Sequence, residues 1–255
     1  LRQTPVLCTG KATNMAKIIR QNLVNTVRTS QMEAFVRMYC TVLLLLALGL
    51  LLLWKGWYLL AALCLPAMLL AYNRGRRVVA LTKAGADGES ETLELLRRLP
   101  ADWSVLPDVA IAHGEHRSQL DYIIVAPGGV LIIEGKNVSG VITGKAGSRM
   151  LHQYKYARGG RPAEHKTMYN PLLQVAGHRT TLEHILQDAG IRTRVQTAVY
   201  FSNKNAEVRI TGAEGILTVG DKRPLDEQVK ALLAKGRQKT DCEAVIRAIR
   251  AAMVK

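Results

Sequence analysis

Glu134 and Lys136 stand two residues apart, at the end of the apolar run Val130-Leu131-Ile132-Ile133. On a strand, that spacing sends both side chains from one face and puts two charges at the end of a buried element. Asp121 lies in the preceding run, Gln119 to Val125, on the other side of Pro127-Gly128-Gly129. Hairpin pairing of the two runs brings its carboxylate to Glu134. Two carboxylates beside a lysine suit a hard divalent cation. Such a cation activates water and neutralises charge growing on a scissile phosphate, while the lysine positions the nucleophile or stabilises the transition state. That chemistry is phosphodiester hydrolysis. Glu-x-Lys alone is a weak signal, because surface strands often alternate acid and base.

Other residues gather around this group in the sequence. Gln174 and His178 lie four apart and share a helix face, which offers His178 to nucleic acid, although a core-satisfied or exposed histidine is the commoner arrangement. Lys145, Arg149, His152, Tyr154, Lys155, Tyr156, Arg158 and Arg161 form a basic stretch interleaved with aromatics. It reads either as a phosphate-tracking surface or as a solvated loop.

The elements that must position these residues follow from periodicity and turn signals. Leu93, Leu96 and Leu99 follow the turn Gly85-Ala86-Asp87-Gly88 and predict a helix over about 89–99, closed by Pro100. Strands are expected over 103–112, 118–125 and 130–136 as an antiparallel meander. Asn170-Pro171 opens a second helix that ends at Gly190. Strands at 195–201 and 216–219 and amphipathic helices at 225–235 and 241–253 complete an α/β domain with a mixed central sheet flanked by helices.

Ahead of this domain, residues 38–72 form an apolar stretch whose only charge is Lys55. It is too long for one span of about 20 residues, and Trp54-Lys55-Gly56-Trp57 divides it, so a transmembrane helical hairpin is expected. Arg20, Arg28 and Arg37 precede it and Arg74, Arg76 and Arg77 follow, which puts both termini in the cytoplasm of a prokaryotic inner membrane. Residues 1–37 are basic and read as an amphipathic or solvated juxtamembrane segment. Met15 is a plausible start, so residues 1–14 carry no weight. A short linker at 73–84 is expected to hold the cytoplasmic domain, 85–255, near the bilayer. The net charge of +15 favours polyanions. The four cysteines lack C-x-x-C spacing and suggest neither a disulfide framework nor a zinc knuckle.

Four motifs occur in order: Gly85-x-x-Gly88-Glu89, Gln119-Leu120-Asp121-Tyr122-Ile123-Ile124-Val125, Gly129 to Asn137 with its Glu-x-Lys-Asn followed by Gly140, and Asn170-Pro171-Leu172-Leu173-Gln174. Over residues 83–187 the chain resembles the nuclease-related (NERD) family. The resemblance implies a PD-(D/E)XK nuclease fold, similar to restriction endonucleases. It implies Asp121 and Glu134 as ligands of Mg²⁺ or Mn²⁺, Lys136 as the catalytic lysine, Glu89 as an auxiliary acid and Gln174 as a group orienting the site. Glu91 rivals Glu89, and helix-dipole electrostatics alone would account for an acid in a first turn. Leu120 departs from the proline of the larger superfamily's motif. Gly135 is a small central residue in Glu-x-Lys, and its carbonyl is a further candidate ligand.

Three functions are consistent with this pattern. The first is a membrane-anchored, metal-dependent deoxyribonuclease, with RNA left open as a substrate. The second is a non-catalytic nucleic-acid-binding module on the same fold. The third is a membrane interaction module whose charge serves anionic lipid.

Overall fold

The computed structural model describes residues 15–19, 26–156, 162–234 and 239–254. Residues 1–14, Leu23 of the juxtamembrane segment, Arg158 and Arg161 of the basic stretch and Lys235 at the expected end of a helix lie outside them. In chain order the elements begin with β1 (Lys17–Ile18), α1 (Thr26–Trp54) and α2 (Tyr58–Arg97). Strands β2 (Ser104–His113), β3 (His116–Ala126), β4 (Gly129–Lys136), β5 (Gly140–Lys145), β6 (Met150–Tyr156) and β7 (Pro162–Tyr169) follow. The chain then forms α3 (Pro171–Asp188), β8 (Val195–Phe201), β9 (Ala206–Thr211), β10 (Ile216–Thr218), α4 (Leu225–Leu233) and α5 (Cys242–Ala251). It divides into a helical unit, Asn22–Ser90, and a sheet unit formed by Leu1–Gln21 and Glu91–Lys255.

In the helical unit, α1 stops where Gly56 takes a φ of 75°. Trp57 N–H donates to the Leu52 carbonyl at 2.9 Å and Gly56 N–H to that of Leu53 at 3.0 Å, a Schellman closure that frees the chain to reverse. Two 23-residue stretches, Met32–Trp54 and Tyr58–Ala80, are long and apolar enough to cross a membrane. Helix α2 continues through Pro66. A Cβ on Gly75 would collide with Met38, and one on Gly49 would lie 3.3 Å from Cys64 Cβ, so glycines let the paired helices approach closely.

The linker expected at 73–84 and the turn expected at Gly85–Gly88 are both helical. Each glycine costs a helix only about 1 kcal/mol relative to alanine, and Ala80, Leu81, Ala84 and Ala86 favour continuation. Glu89 is therefore interior to a long helix rather than in a first turn, and a helix-dipole role for it fails.

In the sheet unit, the main sheet has the order β1-β2-β3-β4-β8-β10. The expected β2-β3-β4 meander is antiparallel, with Ala126 paired to Gly129 across a two-residue Pro127-Gly128 turn. Strand β8 joins β4 in parallel, so the sheet is mixed. Two apolar layers cover its faces. One gathers Ile123, Val125, Val130 and Ile132 with Val175, Leu182 and Leu186 of α3 and Val245 and Ile249 of α5. The other gathers Tyr122, Ile124, Leu131 and Ile133 with Leu93 and Leu96 of α2 and Leu225 and Val229 of α4. Burial on both faces explains why β4 reads as an unbroken apolar run.

A second sheet, of order β7-β6-β5-β9, occupies the region between β4 and α3 together with the chain after β8. It contains Lys145, His152, Tyr154, Lys155 and Tyr156 of the basic stretch, which are therefore strand residues and not a solvated loop, while Arg149 lies in the turn between β5 and β6. Polar, weakly alternating strands of this kind carry little periodic signal.

Candidate active site

The catalytic candidates converge where β3 and β4 part. The ladder between these strands ends at the pair Tyr122 and Ile133. One residue further on, the Asp121 side chain takes over the pairing, and its Oδ2 accepts the Gly135 N–H at 2.8 Å. A Cβ at Gly135 would sit 3.5 Å from that oxygen, an ordinary contact, so the approach does not itself demand glycine.

The position of Asp121 comes from a slip in the pleat. On β2, Val105 belongs to one apolar layer, whereas Val109 and Ile111, of the same parity, belong to the other. Leu120 and Tyr122 on β3 divide in the same way. The slip falls at Asp108 and Asp121, which lie between the registered pairs Pro107 with Tyr122 and Val109 with Leu120. Among the described residues, Asp108 is the one non-glycine with positive φ, at 50°. Gln119 Nε2 donates to its carboxylate at 2.8 Å. Hydrophobic alternation along either strand gives no warning of this irregularity.

Glu134 is 3 % exposed and is held among neighbours on β4 and α3. Lys136 Nζ donates to Glu134 Oε1 at 2.7 Å and to Gln174 Oε1 at 3.2 Å. His178, one turn beyond Gln174, sets its Nε2 3.8 Å from Glu134 Oε2. That is too long for a hydrogen bond, and this buried nitrogen has no hydrogen-bond partner. Burial, reinforced by Lys136, holds the imidazole below its ordinary pKa against the pull of Asp121, which favours its neutral form. The histidine thus faces the carboxylate group instead of being satisfied within the core.

Asp121 feels the same environment with opposite sign. Burial first, and the Glu134 charge second, push its carboxyl up to about 6, against the Gly135 N–H, Lys136 and His178. A buried and a half-buried carboxylate are short of positive charge here, and a bound cation would supply it.

Helix α3 is fixed by Asn170, which is fully buried. Its Oδ1 accepts from Leu172 N–H at 3.0 Å, capping the helix, with Pro171 in the first turn. Its Nδ2 donates to the carbonyls of Ala146 at 2.8 Å and Ser148 at 2.7 Å. The cap was legible in the Asn-Pro pair, but the clamp on the β5–β6 turn was not.

Asp121, Glu134, Lys136 and Gln174 are brought together. Glu89 is exposed and belongs to the helical unit, whereas those four belong to the sheet unit. Its rival Glu91 lies in the sheet unit and raises the pKa of Tyr200, which burial chiefly drives up to about 12. Tyr200 pairs with Gly135 across β4 and β8.

The parting strands present two carboxylates and a lysine, and α3 adds a glutamine, a set of groups suited to phosphodiester chemistry. Residues 84–202 match the family model of the nuclease-related domain, NERD. No curated protein and no solved structure gives a significant match.

Proposed function

We propose that the chain is a membrane-anchored nuclease that uses Mg²⁺ or Mn²⁺ to hydrolyse phosphodiester bonds in DNA. The observation that carries this reading is Lys136 bonded to both Glu134 and Gln174, beside Asp121, inside the segment that matches the nuclease-related domain.

The donor set fits the ion. Mg²⁺ keeps several waters and asks for only one or two carboxylates, which Asp121 and Glu134 supply. Among the described residues no group of three or more His, Cys, Asp or Glu is placed to hold a metal ion, so the proposed site rests on these two carboxylates, with water completing the shell. When bound, such an ion supplies Lewis-acid charge and an activated water. Lys136, anchored by two acceptors, directs its charge at the phosphoryl oxygens. Gln174 fixes the lysine's aim. His178, biased to its neutral form and with an unsatisfied Nε2, is suited to hold a water or to move a proton at that nitrogen.

Membrane anchoring is supported by the paired apolar helices, whose side chains stay exposed even at Leu44 (71 %) and Leu59 (88 %). The arginine flanks support a cytoplasmic face for both termini. The positive net charge supports a polyanionic substrate.

The test uses the full-length chain in nanodiscs with circular, linear and single-stranded DNA and with RNA, under Mg²⁺, Mn²⁺ or EDTA. Metal-dependent cleavage of DNA is the expected result. Binding without cleavage under either metal would instead support a non-catalytic nucleic-acid-binding module, and lipid binding without nucleic-acid binding a membrane interaction module.

A further inference from the structure

We propose that the outer face of the second sheet is a docking platform for single-stranded nucleic acid. The proposal deepens the nuclease reading by naming the form of its substrate.

The two faces of this sheet differ sharply. Ile142, Leu151 and Gln153 are buried on one side. The other side presents three rings. Tyr154 and His165 are cross-strand partners whose rings lie 4.6 Å apart and 10° from parallel. His152 stacks on His165 at 5.2 Å, and its Nδ1 is 3.0 Å from His165 Nε2, so one imidazole donates to the other and the rings are held in register. His152 and His165 are exposed and Tyr154 is half-buried. A preformed stack of nearly parallel rings, with both histidines exposed, offers an outer π-face to a nucleobase at little cost in side-chain entropy.

Charge selects among flat ligands. Lys145 and Arg149, at the two ends of the β5–β6 turn, are exposed and have no acidic partner among the described residues. The neighbouring Lys166 and Arg209 are already paired, with Glu164 and Glu207. A surface that offers stacking rings next to uncompensated cations matches a chain of bases and phosphates. It matches a single strand in particular, because a duplex hides its base faces within its own stack.

The platform also joins the catalytic candidates. Strand β5 begins four residues after Lys136. Ser202 N–H donates to the Lys136 carbonyl at 3.1 Å, Asn203 Nδ2 to Asn137 Oδ1 at 2.9 Å, and Gly140 N–H to the Asn205 carbonyl at 2.8 Å. The second sheet therefore grows from the ends of β4 and β8 that carry the site. Asn170 ties the turn bearing Lys145 and Arg149 to the helix bearing Gln174. The platform is thereby tied to the elements that carry Lys136 and Gln174.

The test is fluorescence anisotropy with the full-length chain in nanodiscs and EDTA. The probes are a labelled oligodeoxynucleotide of about 20 nucleotides, longer than the roughly 4 to 16 that one such surface covers, and a hairpin-capped duplex of the same sequence. The single strand is expected to bind about tenfold more tightly than the duplex. Tyr154→Ala should weaken single-strand binding about tenfold, as expected for loss of one stacked base, and Tyr154→Trp should retain it. Equal affinity for strand and duplex overturns the proposal. So does a Tyr154→Trp variant as weak as Tyr154→Ala, or tighter binding of a neutral oligosaccharide than of the strand. A parallel cleavage assay with Mg²⁺ separates the two readings. Strand preference without cleavage leaves the platform standing and defeats the nuclease, whereas Lys136-dependent cleavage with wild-type binding by Tyr154→Ala does the reverse.

Discussion

At the residue scale, the site is shaped by one unfavourable carboxylate. The carboxyl of Asp121 titrates at about 6 in the folded protein and at 3.8 when unfolded, chiefly because it is buried and next because Glu134 is near. Below pH 4 both states hold the proton and the group is neutral in its effect. As pH rises from 4 through 6 the folded state must ionise at a cost, and stability falls by up to about 3 kcal/mol, since each pH unit separating the two titrations is worth about 1.36 kcal/mol. Asp121→Asn, melted in EDTA, is therefore expected to be more stable than wild type at pH 8 and no more stable at pH 4. Excess Mg²⁺ should raise the wild-type midpoint and not that of the variant. Identical wild-type and variant pH profiles would show that the carboxylate is not under this strain. Asp108 gives a second prediction. A left-handed backbone costs an ordinary L-residue about 1 to 2 kcal/mol and glycine almost nothing, so Asp108→Gly should be more stable than Asp108→Ala by about 1 kcal/mol in denaturant titrations.

At the element scale, Asn170 joins two segments, the N-terminus of α3 and the β5–β6 turn, which it holds through its Nδ2 and through its own N–H to the Arg149 carbonyl at 3.0 Å. Asn170→Ala removes a cap and leaves buried carbonyls without donors, and should cost about 2 to 3 kcal/mol. Asn170→Asp keeps the cap acceptor and should cost less, as chemical denaturation would report. The core strands and α3 were legible in the sequence because each carries a strong signal: the apolar run of β4, the Pro127-Gly128-Gly129 turn and Asn170-Pro171. The joining of Asp121 to the Glu134 end of β4 followed from hairpin pairing. Three features were not legible. The slip at Asp108 reverses the face of every residue beyond it without changing the alternation. The glycines at 85 and 88 read as a turn because local propensity says nothing about the helix held on both sides of them. The second sheet is built from polar strands that resemble a loop.

At the scale of the whole molecule, a long apolar pair of helices precedes a basic sheet unit, and α2 is the element that runs from one into the other. The proposed topology, with both termini on the cytoplasmic side, puts Lys55 at the hairpin tip on the opposite side of the bilayer. In a background with the native cysteines replaced by serine, Lys55→Cys should react with a membrane-impermeant maleimide in intact cells, while Glu243→Cys should react only after lysis. Labelling of Glu243→Cys in intact cells, or of neither position before lysis, would contradict that topology.

Everything proposed for the chemistry rests on Lys136, aimed by Glu134 and Gln174, acting on a scissile phosphate. The decisive measurement is the Mg²⁺-dependent cleavage rate of circular and single-stranded DNA by the full-length chain and by Lys136→Ala, with DNA affinity and thermal midpoint measured on the same samples. The expected result is a loss of about 100-fold or more in rate, the scale typical of removing one group that stabilises transition-state charge, with folding retained and affinity little changed. Cleavage by Lys136→Ala at the wild-type rate, or no metal-dependent cleavage by the wild-type chain, would contradict it.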